Sequence, residues 1–355
     1  MRHREDALVA YLGWQRMGNI GDDAIYDAVR SQLAGATVLD LPRFPGERIH
    51  AAATGLNRKL RHSIQVVGGG TLIGTRYFRR LVTRGQVLTR NNGSYAIGLG
   101  VEDPVFDRRQ NASEAGELKR WVPILSEFRT VSVRGPRSAQ LLADAGLQVN
   151  VSGDPAMLLP HPDVVPTDGL IGLNLGFGDD DLWGQDPATV AERIAAAARH
   201  LAAEGYRFVG ILMNRADRRW TEQALAGIDA PIVHPPDATT AARELAHCTV
   251  AIVSRLHAGI LAALSSTPVI SLEYQPKCRD FALSINDERS LLRTDTLTTN
   301  TVIDHIHHTL DNAAHIRTTT HHAVTHLRQQ LTNEYATVTD HLGLRAPTGQ
   351  LAEGH

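Results

Sequence analysis

Arg255, His257 and Lys277 place two cations and an imidazole within one short stretch, Thr249 to Phe281, of a 355-residue chain. The β-branched apolar run Val250 to Val253 predicts a strand buried on both faces, and Ala258 to Leu264 predicts a helix after it. Arg255 and His257 therefore fall at a helix N-terminus, whose unpaired N–H groups and positive dipole end disfavour cations unless an anion shares the site. A second apolar strand, Pro268 to Leu272, leads to Glu273, Tyr274 and Lys277 at what should be the same sheet edge. The chemistry these residues suit is the holding of a negatively charged ligand. Arg134 occupies the equivalent place after another expected strand, Thr130 to Val133. Alone, it reads equally well as an arginine paired with a surface carboxylate.

A second group of polar residues stands near the N-terminus. The strand expected over Leu8 to Leu12 is followed by Gly18-Asn19-Ile20-Gly21-Asp22-Asp23 and a helix from about Ala24 to Leu33. Gly13 and Gly18 have the separation of P-loop glycines, but Asn19 and Ile20 stand where Lys and Ser/Thr are required, so that reading fails. Asp22 and Asp23 complement the helix dipole, and either can also face a substrate. After the strand Ile64 to Val67, Gly68, Gly69, Gly70 and Thr71 allow backbone amides to approach a ligand closely.

The elements that must position these groups alternate apolar runs with helical segments. Strands are expected at Thr37 to Leu41, Tyr95 to Leu99 and Asn150 to Val151, with helices at Leu118 to Leu125 and Ser138 to Ala145. Gly153 to Ala156 reads as a short strand and turn. Pro160, Pro162 and Pro166 mark the expected linker. Beyond it, strands at Leu170 to Leu175, Arg207 to Leu212 and Pro231 to Val233 alternate with helices at Ala188 to Ala203 and Thr239 to Ala246. The expected fold class is thus α/β, with two Rossmann-like domains whose mostly parallel sheets face a cleft. Their boundaries are residues 1–162 and 167–300, followed by C-terminal closing helices over 301–343 and a flexible tail, 344–355.

A formal net charge of −2 gives no general case for nucleic-acid binding, and 43% hydrophobic residues allow a sizeable core. Cys248 and Cys278 match neither a zinc pattern nor a disulfide framework and suit a reducing compartment. The N-terminal apolar run is too short to span a bilayer and lacks a cleavage site, so a cytoplasmic protein is expected. The tail holds His305, His307, His308, His315, His321, His322, His326 and His341. His322 and His326 have i, i+4 spacing, but with no third ligand in view no metal is expected, and a solvated polar helix face is. Asp179 to Asp181 reads as a loop.

In order along the chain, GNIGDD at 18–23, VVGGGTLIG at 66–74, AIGLGVE at 96–102, VSVRGPRS at 131–138, GDPAMLL at 153–159, SRLHA at 254–258 and PVISLEYQPK at 268–277 resemble the polysaccharide pyruvyl transferase family. The resemblance runs from residue 8 to about 281. It implies a GT-B-like architecture and transfer of a pyruvyl group from phosphoenolpyruvate to two hydroxyls of a sugar in a bacterial cell-surface glycan or its precursor. A cyclic ketal forms and phosphate leaves. The implied donor site comprises Arg134, Arg255, Leu256 and Lys277, with His257 as acid or phosphate ligand and Asp22 as base. Asn19, Gly69, Gly70 and Thr71 fall on the acceptor side, and segments Thr75 to Arg90 and Asp179 to Trp183 offer Tyr77, Phe78 and Trp183 to stack on a pyranose. No cofactor is implied beyond phosphoenolpyruvate as donor. The acceptor is a sugar on a glycan, lipid-linked or nucleotide-linked, at the inner face of the membrane, with peripheral membrane association. Family members often carry Asp-Glu where this chain has Asp22-Asp23. A GT-B-type glycosyltransferase using a nucleotide sugar is the alternative enzyme, and a non-catalytic sugar or anion receptor is the third reading.

Overall fold

The computed structural model describes residues 7–106, 116–178, 182–184 and 186–344. Asp179 to Asp181 and the tail from residue 345 onward lie outside the described residues. The first half builds a sheet from β1 (Leu8–Leu12), β2 (Thr37–Asp40), β3 (Ile64–Gly68), β4 (Thr71–Ile73), β5 (Ser94–Val101), β6 (Thr130–Val133) and β7 (Asn150–Val151). Its order is β2-β1-β3-β5-β6-β7, with β4 pairing β5, and every pairing is parallel. Helices α1 (Ile20–Gln32), α2 (Pro45–Ala53), α3 (Leu56–Leu60), α4 (Arg76–Leu88), α5 (Glu117–Leu125) and α6 (Pro136–Asp144) cover it.

The second half holds β8 (Leu170–Asn174), β9 (Arg207–Ile211), β10 (Ile232–Val233), β11 (Val250–Val253), β12 (Val269–Glu273) and β13 (Leu291–Arg293) in the parallel order β10-β9-β8-β11-β12-β13. Numbered within that half, the order is 3-2-1-4-5-6, that of dinucleotide-binding sheets. Its helices are α7 (Pro187–Ala203), α8 (Arg218–Ala224), α9 (Ala238–Ala246), α10 (Leu256–Leu264), α11 (Pro276–Ser284) and α12 (Thr299–Asp311). The two halves meet through residues 160–166, which form no helix or strand.

The buried β-branched runs form strands because parallel sheets are covered on both faces. All nine residues of α10 are buried, as expected of a helix that is apolar all round. It lies between the halves, in a core that joins Ile25 and Val29 of α1 to Ile211, Ala241 and Ile260 of the second half. The last helix, α13 (Ala313–His341), crosses back to the first half and buries Val324, Leu327, Leu331, Tyr335 and Val338. Glu334 on α13 accepts a hydrogen bond from Ser132 Oγ in β6, and Arg328 donates to the carbonyls of Met157 and Leu159.

Several local expectations are corrected. The segment from Thr75 to Arg90, expected only as a stretch offering aromatics to a sugar, is mostly helix α4, because Phe78, Leu81, Val82 and Gly85 fall on one buried face. Gly153 to Ala156 leads into a 3₁₀ turn over Pro155–Leu158, capped by Asp154, instead of a strand. Helix α1 begins at Ile20, since Asn19 in an extended conformation caps it and Gly21 tolerates the first turn. The tail histidines are not uniformly solvated: His307 bonds Glu204, His341 meets the Tyr95 hydroxyl, and His321 stacks on His161.

Candidate functional site

The strand order reverses between β1 and β3 in the first sheet and between β8 and β11 in the second. Open α/β sheets offer ligand crevices at such points, outside the carboxyl ends of the strands. Asn19 and Asp22 follow β1 and Gly69 and Gly70 follow β3; Asn174 ends β8, with Gly176 beyond it, and Ser254 and Arg255 follow β11. The two edges touch. Ile20 N–H donates to the Met213 carbonyl at 3.0 Å, and Asn214 Nδ2 to the Gly18 carbonyl at 2.9 Å. Gly21 closes this junction: a Cβ there would stand 2.3 Å from Cγ of His257, so only glycine admits the imidazole.

Asn19 works twice. Its Oδ1 accepts from Gly21 N–H at 3.0 Å, and its Nδ2 donates to Asp22 Oδ2 at 2.7 Å. Burial raises the Asp22 carboxyl above the usual carboxylate range, against the opposing charges of His257 and Lys277 beside it. Asp23 points instead to the preceding loop, accepting from Arg16 N–H. Gly70 adjoins Asp22, since a Cβ on it would lie 3.9 Å from Asp22 Oδ1, whereas Gly69 packs its backbone on Ile25. The Thr71 hydroxyl is 3.4 Å from Arg134 Nη2 and accepts from it.

Behind these residues lies a wholly enclosed carboxylate, Asp154. Its Oδ1 accepts from Ala156 N–H, while its Oδ2 stands 3.7 Å from His257 Nε2 and 3.8 Å from Arg134 Nη1. Burial alone would raise this carboxyl, but contact with His257, the Arg134 charge and the Ala156 N–H outweigh it, holding Asp154 below its ordinary value. Arg134 is also 3.8 Å from Asp280 on α11, and Asp280 accepts from the N–H and hydroxyl of Ser138 on α6. Gly98, with φ of +67° at a break in the β5–β6 register, lets Gly153 approach: a Cβ there would meet its carbonyl at 2.4 Å. Nε and Nη1 of Arg134, Oδ2 of Asp154 and Nε2 of His257 are buried and form no hydrogen bond among the described residues. Four polar atoms with unused bonding capacity thus converge at the junction of the halves.

Arg255 caps α10 from the second half. Its Nε and Nη2 both donate to Asp217 Oδ1, at 2.9 and 2.6 Å, and Asp217 is itself fixed by Asn174 Nδ2 and the N–H groups of Met213 and Asn214. Burial works against the Arg255 charge, but Asp217 raises it further, so the guanidinium stays charged. Lys277, in the first turn of α11, holds its ammonium 4.8 Å from the Tyr274 ring and lines a cavity of about 40 Å³ with Thr71, Asp103, Phe106 and Gln275. Each cation is therefore positioned, and the N–H groups opening α10 add unpaired donors.

Not every expected residue presents its side chain here. Leu256 is buried in the core shared by the halves, so only its backbone N–H at the start of α10 can serve a ligand. Phe78 is buried against Trp14 and Tyr77, which removes it from sugar stacking. Trp183 packs edge-on against Phe106 from the first half and beneath Arg293. Among the described residues no group of three His, Cys, Asp or Glu is arranged to hold a metal. Asp154, Asp217 and Asp280 were missed at the sequence level. Asp154 lies within the GDPAMLL motif, but nothing in the spacing of Asp217 or Asp280 signals their partners.

Residues 19–276 match the family model described as polysaccharide pyruvyl transferase. A search of curated proteins finds no match to the sequence. Among solved structures, UDP-GlcNAc 2-epimerase from Neisseria meningitidis bound to UDP-GlcNAc is similar at a TM-score of 0.58 and 11% identity, over 95% of this chain and 99% of that one. A putative UDP-N-acetylglucosamine 2-epimerase from Listeria monocytogenes gives 0.61 at 11%, covering 96% and 97%. The S. aureus MnaA–UDP structure gives 0.59 at 13%, covering 97% and 99%. At these identities the likeness concerns the fold, which is GT-B-like.

Proposed function

The chain belongs to the polysaccharide pyruvyl transferase family, and on that premise we propose that it moves the pyruvyl group of phosphoenolpyruvate onto two hydroxyls of a sugar in a bacterial cell-surface glycan or its precursor. The observation that carries this reading is the convergence of Arg134, Asp154 and His257, with unused buried donors, beside Asp22 and the start of α10. Phosphoenolpyruvate has a carboxylate and a phosphate. It suits a site with planar guanidinium forks, a lysine point charge and helix N–H groups.

In this reading Arg255, Lys277 and the N–H groups of Leu256 and His257 hold the donor, and Arg134 lends the free N–H groups of its guanidinium. His257 gives its proton to the methylene carbon, leaving positive charge on the carbon that bears the phosphate. A sugar hydroxyl attacks that carbon while Asp22 takes the hydroxyl proton. The C–O bond to phosphate then breaks, and a second hydroxyl closes the cyclic ketal. The two hydroxyl protons balance those delivered to the methyl carbon and the departing phosphate. An Asp22 carboxyl raised above its ordinary range is a stronger base than a free aspartate. Acceptor and donor suffice; no cofactor takes part.

The test is phosphate release from phosphoenolpyruvate that requires a glycan acceptor, with loss of that release in Arg255→Ala. Acceptor-dependent release persisting in Arg255→Ala overturns the donor site. Thermal shift with phosphoenolpyruvate and with a panel of nucleotide sugars separates this reading from a nucleotide-sugar glycosyltransferase. Stabilisation by a nucleotide alone reverses the assignment.

A further inference from the structure

Residues 41–90 contain ten arginines and lysines and one carboxylate, Glu47, in a chain whose 36 cations are otherwise outnumbered by 38 acids. Arg58, Lys59, Arg61 and Arg90 surround a cavity at the start of β1 and β2, Arg43 is buried and Arg79 pairs with Glu117, which leaves Arg48, Arg76, Arg80 and Arg84 on α2 and α4. Along α4, Arg76, Tyr77, Arg80, Arg84 and Val87 recur at helical spacing opposite the buried Phe78, Leu81 and Val82. Arg48 of α2 lies beside both Tyr77 and Arg84. Burial, with a smaller part from the neighbouring Arg48 charge, holds Arg84 below the usual arginine range. Glu47 is the carboxylate that stands beside Tyr77.

The same face is unusually apolar. Of six large hydrophobic side chains left exposed among the described residues, four belong to it or its margin: Ile49 at 72%, Val87 at 70%, Met17 at 43% and Tyr77 at 42%. Aliphatic side chains set among cations match the boundary between acyl chains and anionic headgroups. A single-stranded nucleic acid would call for a row of aromatics with open faces, whereas Tyr77 packs edge-on against Trp14 and Phe78 and is the aromatic left most exposed on this face among the described residues.

We propose that the α2–α4 face docks the protein on an anionic lipid bilayer, with Arg48, Arg80 and Arg84 on the headgroups and Ile49 and Val87 dipping below them. No described helix is long and apolar enough to cross a membrane, so this contact is peripheral. Helix α4 starts directly after β4, the strand that Thr71 opens. The inference goes beyond the transferase reading and is measured without it.

The test is co-sedimentation of the full chain with vesicles of phosphatidylglycerol and phosphatidylcholine against phosphatidylcholine alone. Binding is expected to the anionic vesicles only and to weaken with salt. Arg80→Gln/Arg84→Gln is expected to lower the partition coefficient about thirty-fold, at roughly 1 kcal/mol per surface cation. Ile49→Ser/Val87→Ser should remove the part that survives high salt. Arg199→Gln/Arg218→Gln, exposed on the second half, should change nothing, and circular dichroism should show all variants folded. Equal binding to neutral vesicles, equal loss in the control pair, or capture by heparin without capture by vesicles would overturn the proposal. Phosphate release with a soluble acceptor should be unchanged in the α4 variants, so loss of that activity would count against the transferase site and leave the docking result standing.

Discussion

Asp154→Asn isolates the charge at the centre of the site while keeping its shape. The native carboxylate faces Arg134 Nη1 at 3.8 Å and His257 Nε2 at 3.7 Å with no exposure to solvent. Coulomb attraction at that range is ~4 kcal/mol per pair with an effective dielectric of about 20. Part survives the substitution, because Asp280 remains 3.8 Å from Arg134 Nε. The expected loss of stability near neutral pH therefore falls at the low end of that for stripping a buried charge of its partner, about 3 kcal/mol. The Asp154 carboxyl is depressed in the folded protein. Its contribution is accordingly present above the unfolded aspartate value, near 3.9, and lost as pH falls through the lower folded value, so native and variant stabilities should converge in acid. For catalysis, the substitution removes the anion that faces His257 Nε2. We expect kcat to fall roughly 10² to 10⁴-fold, as for a histidine deprived of its carboxylate. Initial rates of phosphate release from about pH 5 to about pH 9, beside urea unfolding at the same pH values, read both effects. A full-rate variant would refute the coupling; a slow variant whose stability, followed on into acid, stays apart from that of the native protein would reduce Asp154 to a packing role.

Three further outcomes follow from single contacts. Asp22→Asn should abolish turnover yet stabilise the fold, since a carboxyl whose folded pKa is raised makes the native state less stable once pH climbs above the unfolded value. The gain should vanish in acid, and a destabilised variant at neutral pH would contradict it. Gly21→Ala, which at an ordinary helix site would gain about 1 kcal/mol, should instead displace His257, whose Cγ is 2.3 Å from the added Cβ. A kcat loss of about 10²-fold is expected, and a stabilised, fully active Gly21→Ala would show that the imidazole need not sit there. Leu331→Ala on α13, fully buried between the halves, should cost about 2–5 kcal/mol in denaturant unfolding; a smaller loss would mean that α13 is not part of the common core.

The strands and the helix after β11 could be read from the chain because runs such as Val250–Val253 are buried on both faces and announce themselves by composition. Asn19, Asp22, Arg255, His257 and Lys277 were legible for the same reason: they end apolar runs, and the ends of parallel strands are where such sheets hold ligands. The carboxylates that set those side chains in place were not. Asp217 lies 38 residues from Arg255 and Asp280 lies 142 from Ser138, so only the fold brings each pair together. Helix α4 was hidden because its arginine-rich face masks an apolar stripe of ordinary helical spacing. The basic character of residues 41–90 disappeared into a net charge of −2.

The proposed acid and base belong to different halves of the molecule. Asp22 rides on α1, after β1, and His257 on α10, after β11. They are neighbours only because Ile20 is bonded to Met213, Gly18 to Asn214, and Gly21 leaves room for the ring. Parting the two sheets would break those contacts together and carry His257 away from Asp22. Arg134 and Asp154 would remain with the first half, and Arg255, Lys277 and Asp280 with the second. The same separation would admit solvent to Asp154 and weaken its attraction to both cations, because water raises the local dielectric. Proton transfer in the proposed reaction is thus confined to the arrangement in which both halves meet. On the proposed reading, a sugar on the first sheet would meet the acid of the second half in that arrangement and in no parted one.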